Sequence, residues 1–171
     1  MKGLPSFKHG VHPPENKELT SGIPSKRFPF PKEVILPLSQ HIGTPAKALV
    51  KAGDRVERGD VIAEAAGFIS STVHATAAGT VKSIELWPHP NGLMVPSIRI
   101  AVDPASSQMR RNRVVPRWQD VKEEDLSKDI SKADIVCLGC AAFPSHVKLC
   151  PPKDQPIELL IINGSECEPY L

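Results

Sequence analysis

The sequence predicts an α+β chain, with a β-rich small barrel or sandwich first and the start of an α/β unit after it. Three observations predict this. Between residues 32 and 103, short runs of β-prone residues are each closed by Gly, Pro, Asn or Asp. The chain holds 18 prolines and only 5% aromatic residues, which suits short strands, tight turns and a core of small branched residues better than long helices. Beyond residue 119 the pattern changes to one helical stretch followed by one continuous apolar run.

Residues 1–31 are rich in Pro, Lys and Gly and show neither period, so they read as an extended N-terminal arm. Residues 32–103 hold the predicted strands: Val34-Ile35-Leu36, Ala48-Leu49-Val50, Val61-Ile62-Ala63, Thr72-Val73-His74, Thr80 to Ile84, and Ile98-Arg99-Ile100. Their spacing suggests a small barrel or sandwich. Gly53-Asp54 and Gly59-Asp60 can each supply a positive-φ turn, and Gly79 can let a returning strand cross closely. This pattern resembles the biotinyl/lipoyl-type barrel-sandwich hybrid. Domains of that type carry a modified lysine at a hairpin tip. Here the tip reads Ala65-Ala66-Gly67-Phe68-Ile69-Ser70 and offers no amine to acylate, which leaves a structural or docking role.

Residues 104–119 read as a linker. Its basic patch (Arg110, Arg111, Arg113, Arg117) is either a solvated connector or a contact for phosphate or a partner. Residues 120–171 begin a second unit. Val121, Leu126, Ile130 and Ala133 approximate helical spacing, with acidic residues in the first turn, where the helix dipole favours them. Ile135 to Leu149 then runs from an apolar segment through a small-residue loop to Pro144, placed as N1 of a short helix. Such a loop presents backbone N–H groups to an anion, and Lys148 could add a cation; a flavin or nucleotide phosphate fits. Ile157–Ile162 reads as a buried strand, and the polar residues 163–170 follow its C-terminal end, where open α/β sheets place ligands.

Composition narrows function. A net charge of +2 is too small to argue for nucleic acid or an anionic membrane surface. No apolar run approaches the ~18 residues that cross a bilayer, and the N-terminus shows no secretory h-region. The expectation is a cytoplasmic chain that reaches any membrane through partners. All four cysteines (Cys137, Cys140, Cys150, Cys167) lie in the last quarter. That clustering argues against a disulfide framework and leaves reduced thiols or, as an alternative, a zinc or iron–sulfur site. The histidines stand singly, Glu166 and Glu168 face opposite ways on an extended strand, and no serine-nucleophile signature appears; no catalytic residue is assigned.

Four blocks carry a closer resemblance: GVHPPENKELTSG (10–22), LPLSQHIGTPAKALVKAGDRVERGDVIAEAAGFISSTVHATAAGTVKSIE (36–85), FPSHVKL (143–149) and INGSECEPYL (162–171). They resemble the start of the RnfC subunit of the Rnf-type ion-translocating oxidoreductase complexes. The later blocks are also similar to the flavin- and NADH-binding subunit of respiratory complex I and to a cobalamin reductase of bacterial microcompartments. The resemblance implies a barrel-sandwich domain followed by the truncated start of a Rossmann-like FMN/NADH-binding domain. It nominates Gly139, Lys148, Asn163, Glu166 and Glu168 as cofactor-binding residues. It implies FMN and NADH as cofactors, and two 4Fe–4S clusters in a further part of the family's length. It implies the other members of an Rnf complex as partners, a peripheral place on the cytoplasmic face of the plasma membrane, and electron transfer between NADH and ferredoxin coupled to Na⁺ or H⁺ transport. The chain alone is expected to be inactive. The family loop reads Gly-Leu-Gly-Gly-Ala-Gly-Phe-Pro, and here Cys137, Cys140 and Ala142 stand at three of its glycine positions. Side chains there are expected to cost ~1–2 kcal/mol each where φ is positive and to hold a flavin off the backbone. The alternatives from the same residues are a stand-alone docking or scaffold module, a cysteine-based metal protein, or a cobalamin-reductase relative.

Overall fold

The computed structural model describes residues 14–109, 117–137, 142–152, 154 and 157–162. The chain divides into two compact units. One is Pro29–Ile157; the other is made of Met1–Phe28 with Glu158–Leu171. In the second unit the described N-terminal part forms one 3-10 turn, Lys17–Leu19, entered through Asn16 at φ 52.

The larger unit begins with seven strands: β1 (Glu33–Pro37), β2 (Lys47–Ala48), β3 (Arg55–Val56), β4 (Val61–Glu64), β5 (Val73–His74), β6 (Gly79–Pro88) and β7 (Met94–Val102). They form a four-stranded sheet in the order β1-β7-β6-β3 and a three-stranded sheet in the order β2-β4-β5. Every strand pair is antiparallel. Both sheets share one core, which joins Leu36, Val56, Ile62, Val73, Val81, Ile98 and Ile100. Ile62, Ile98 and Ile100 are fully buried, each favouring the fold by ~1.5–3 kcal/mol through apolar burial.

Two near-identical turns organise the strands. At Lys51–Asp54 the Asp54 N–H donates to the Lys51 carbonyl (3.1 Å), and the Lys51 N–H donates to the Asp54 carboxylate (2.9 Å). At Glu57–Asp60 the same pair of bonds measures 3.0 and 2.7 Å. Gly53 (φ 93) and Gly59 (φ 96) hold the left-handed position of each turn. Each glycine then pairs with a facing strand: Gly53 with Val81 at 2.8 Å and Gly59 with Ala75 at 2.8 Å. The repeated Gly-Asp of the sequence is therefore one structural device used twice.

Strand lengths depart from the sequence reading. Leu49 and Val50 lie outside β2, because the Lys51 turn begins at once, and Leu49 is exposed. Strands β6 and β7 extend well past the predicted cores into a long hairpin. A register shift at Lys82 returns Ile84 to the side of Ile98. The run Ile157–Ile162 is not the buried strand the sequence suggests. It pairs with nothing among the described residues, and its apolar side chains stand 64 to 81% exposed.

Candidate functional site

The segment nominated by the sequence starts from helix α1 (Glu123–Lys132). Glu123, Glu124 and Asp125 fill its first turn and Lys132 its last, both matched to the helix dipole. The helix stops in a Schellman arrangement. The Asp134 N–H donates to the Ser131 carbonyl (3.3 Å) and the Ile135 N–H to the Ile130 carbonyl (3.4 Å). Asp134 holds the left-handed position at φ 55, where glycine is the usual occupant.

The chain then enters β8 (Val136–Cys137), antiparallel to β9 (Phe143–Pro144), with Val136 facing Pro144 and Cys137 facing Phe143. The Ser145 N–H donates to the Ile135 carbonyl (2.9 Å) and extends the pairing by one bond. Helix α2 (Ser145–Lys148) follows. Pro144 is its N-cap rather than N1, because ψ 121 keeps the proline extended within β9. The four-residue helix packs against α1.

The structure brings two nominated groups together. The Lys148 ammonium donates to the Cys137 sulfur at 3.5 Å. Cys150 lies apart, exposed, with its sulfur 3.3 Å from the Ser127 hydroxyl. His146 has its Nδ1 buried without a hydrogen-bond partner among the described residues. No group of three metal-binding side chains occurs among the described residues. Gly139, Cys140, Asn163, Glu166, Cys167 and Glu168 lie outside them.

Two of the three substituted glycine positions can be judged. Ala142 keeps a left-handed backbone (φ 53) in spite of its Cβ. Cys137 sits in paired, extended backbone, so its side chain carries no left-handed strain there, against the sequence expectation. The backbone entering and leaving the loop thus keeps the course that glycines would allow. Lys148 places a cation beside Cys137, where the chain enters this loop.

A second cluster escaped the sequence reading. His41 is buried, its Nε2 accepting from the Ser71 N–H (3.0 Å) and its Nδ1 lying 3.1 Å from the Ile42 carbonyl. The Thr72 hydroxyl lies 3.1 Å from the Lys132 carbonyl and 3.4 Å from that of Ser131, donating to this pair at the end of α1. Burial holds the Asp134 carboxyl above its usual range, and Ser71, His74 and His41 pull it back in part. The Ser71 hydroxyl faces that carboxylate without an aligned hydrogen bond. The signal in the sequence was an aspartate where a helix terminus calls for glycine.

Comparison with known proteins adds the family. Residues 5–105 match the RnfC barrel sandwich hybrid domain, which is more than half of the chain. The chain belongs to the RnfC family. Its β-rich unit is therefore the barrel-sandwich hybrid that the sequence suggested. Residues 130–171 match the Nuo51 FMN-binding domain. The chain is 38% identical over 168 residues to the C subunit of the proton-translocating ferredoxin:NAD(+) oxidoreductase complex of Clostridium ljungdahlii, covering 98% of itself and 37% of that protein. It is 40% identical to the C subunit of the Na(+)-translocating ferredoxin:NAD(+) oxidoreductase complex of Acetobacterium woodii, covering 97% of itself and 38% of that protein. Against the C subunit of the ion-translocating oxidoreductase complex of Haemophilus influenzae it is 38% identical, covering 96% of itself and 20% of that protein. The chain thus spans less than two fifths of the length of these RnfC relatives. No helix among the described residues is long and apolar enough to cross a membrane.

Proposed function

We propose that this chain supplies the barrel and the first part of the flavin region of RnfC in an ion-translocating ferredoxin:NAD⁺ oxidoreductase complex. The observation that supports it is the tandem match of one chain to an RnfC barrel and then to the opening of an FMN-binding domain. Residues 120–171 would be the start of a Rossmann-like domain, following the barrel of residues 32–103 and the connector 104–119.

Gly139 would give the flavin a close approach to backbone N–H groups. Lys148 brings a positive charge to the end of α2, on the side of Cys137. Asn163, Glu166 and Glu168 would hold the flavin and nicotinamide edges. When bound, FMN supplies the conversion between two-electron exchange with NADH and one-electron exchange with clusters. The two 4Fe–4S clusters would belong to a part of RnfC beyond these residues. The chain's own residues bind and orient; none is proposed to move a proton. Other members of the complex would hold it at the cytoplasmic face of the membrane, and the barrel, with its lysine-free tip, would act in docking.

A titration with FMN, followed by quenching of flavin fluorescence and then addition of NADH, tests the reading. Saturable binding in the micromolar range is expected. No quenching up to about 1 mM, near 4 kcal/mol of standard affinity, would overturn the flavin part.

A further inference from the structure

We propose that Thr72 is a latch that caps the C-terminus of α1 from the barrel and so fixes where β8 begins. Two features of the helix end point to it. First, the carbonyls of Ser131 and Lys132 receive the Thr72 hydroxyl, a side chain from the strand edge of the barrel some 60 residues earlier. A helix end leaves its last carbonyls without intrahelical partners, and here a different part of the fold supplies a donor.

Second, Asp134 is the wrong residue for its local position. Glycine is favoured where a Schellman ending needs positive φ, and a carboxylate at the C-terminal end of a helix opposes the dipole. A residue that breaks two local rules at once is expected to be held by tertiary contacts. Asp134 is half-buried and lines a pocket with His74 of the barrel, a setting that disfavours its charged form, so the outside contact that holds this helix end is the one from Thr72. The backbone of Ser71 is itself fixed by the buried ring of His41. The latch is therefore built on a rigid part of the core.

Its consequence lies in the next three residues. Ile135, immediately after Asp134, accepts the Ser145 N–H, and Val136 and Cys137 pair with β9. Holding the end of α1 against the barrel sets the base of the segment between β8 and β9. If the flavin proposal holds, that segment cradles the cofactor and Thr72 is a positioning residue for it; the latch itself does not depend on that proposal.

The test uses the full chain in two variants, Thr72→Val and Thr72→Ser. Amide hydrogen exchange is followed at Asp134, Ile135 and Ser145, with Ile62 and Ala63 in the core as internal reference. FMN affinity is measured alongside. The latch predicts exchange about tenfold faster at the first three amides in Thr72→Val, unchanged exchange at Ile62 and Ala63, and near wild-type protection in Thr72→Ser. Undiminished protection at these amides in Thr72→Val would overturn it. So would loss of protection in Thr72→Val matched by equal loss at Ile62 and Ala63. If wild-type chain binds no FMN, the flavin reading falls and exchange alone judges the latch. If it does bind, weaker FMN binding in Thr72→Val that Thr72→Ser restores is expected, and undiminished affinity in Thr72→Val would overturn the positioning role.

Discussion

Gly79 has no room for a side chain: a Cβ there would overlap the carbonyl oxygen of Ala101 on the neighbouring strand. Gly79→Ala must therefore push two backbones apart, and a loss of about 2 kcal/mol or more is expected in denaturant unfolding. Ala142 is the opposite case. It holds φ 53 with a Cβ present, so Ala142→Gly should stabilise by about 1 kcal/mol and tighten FMN if that cofactor binds; a lower unfolding midpoint would contradict this. Asp134 titrates usefully. Burial raises its folded pKa above 3.8, with Ser71, His74 and His41 opposing, and Arg58 lines the same cavity of about 260 Å³. The folded state thus holds this proton more tightly than the unfolded state. Its contribution is most favourable below pH 3.8 and is lost as pH rises through the folded value. Asp134→Asn, which cannot ionise, should melt higher than wild type at pH 7, and the gap should close as pH approaches 4. A gap that stays constant with pH would mean that burial does not penalise the carboxylate.

At the scale of elements, the twin turns and the β6–β7 hairpin carry the lesson. Gly53 has open space around a built Cβ, so only its φ of 93 opposes a side chain. Gly53→Ala should cost ~1–2 kcal/mol, seen as a lower denaturant midpoint with an unchanged slope. Strict alternation along β6 would put Val81 on the face opposite Ile84 and Leu86; the register shift at Lys82 breaks it, and Val81 is buried while Ile84 is 39% exposed. Leu86 is 59% exposed and Met94 55%, because the hairpin runs past the end of the opposing sheet. The pattern of a strand names the face; only the neighbours decide whether that face is covered. Ile98, on the same face but over the core, is fully buried, and Ile98→Ala should cost roughly 2–5 kcal/mol. On the outer face Arg99 bonds Glu33 at 2.8 Å and stacks on Trp87 at 5.8 Å, an exposed network that holds register more than stability.

At the scale of the molecule, the run Ile157–Ile162 presents five large apolar side chains to solvent. Six residues of this composition with one charge are prone to pair with copies of themselves. Ile161→Lys should slow the rise of light scattering on warming while leaving the barrel's melting temperature unchanged; equal scattering would show that association lies elsewhere. The sequence by itself determined the turn glycines, the β-rich unit, the helix near 123–132, the short helix after Pro144 and the family resemblance. These rest on local chemistry: which residues tolerate positive φ, which alternate, and which motifs stand in which order. Only the tertiary structure decided how far each strand runs, that Cys137 is extended beside Lys148, that Ile157–Ile162 lies uncovered, and that Thr72 meets the end of α1. Each of those depends on a partner distant in sequence, and no local pattern encodes whether such a partner arrives.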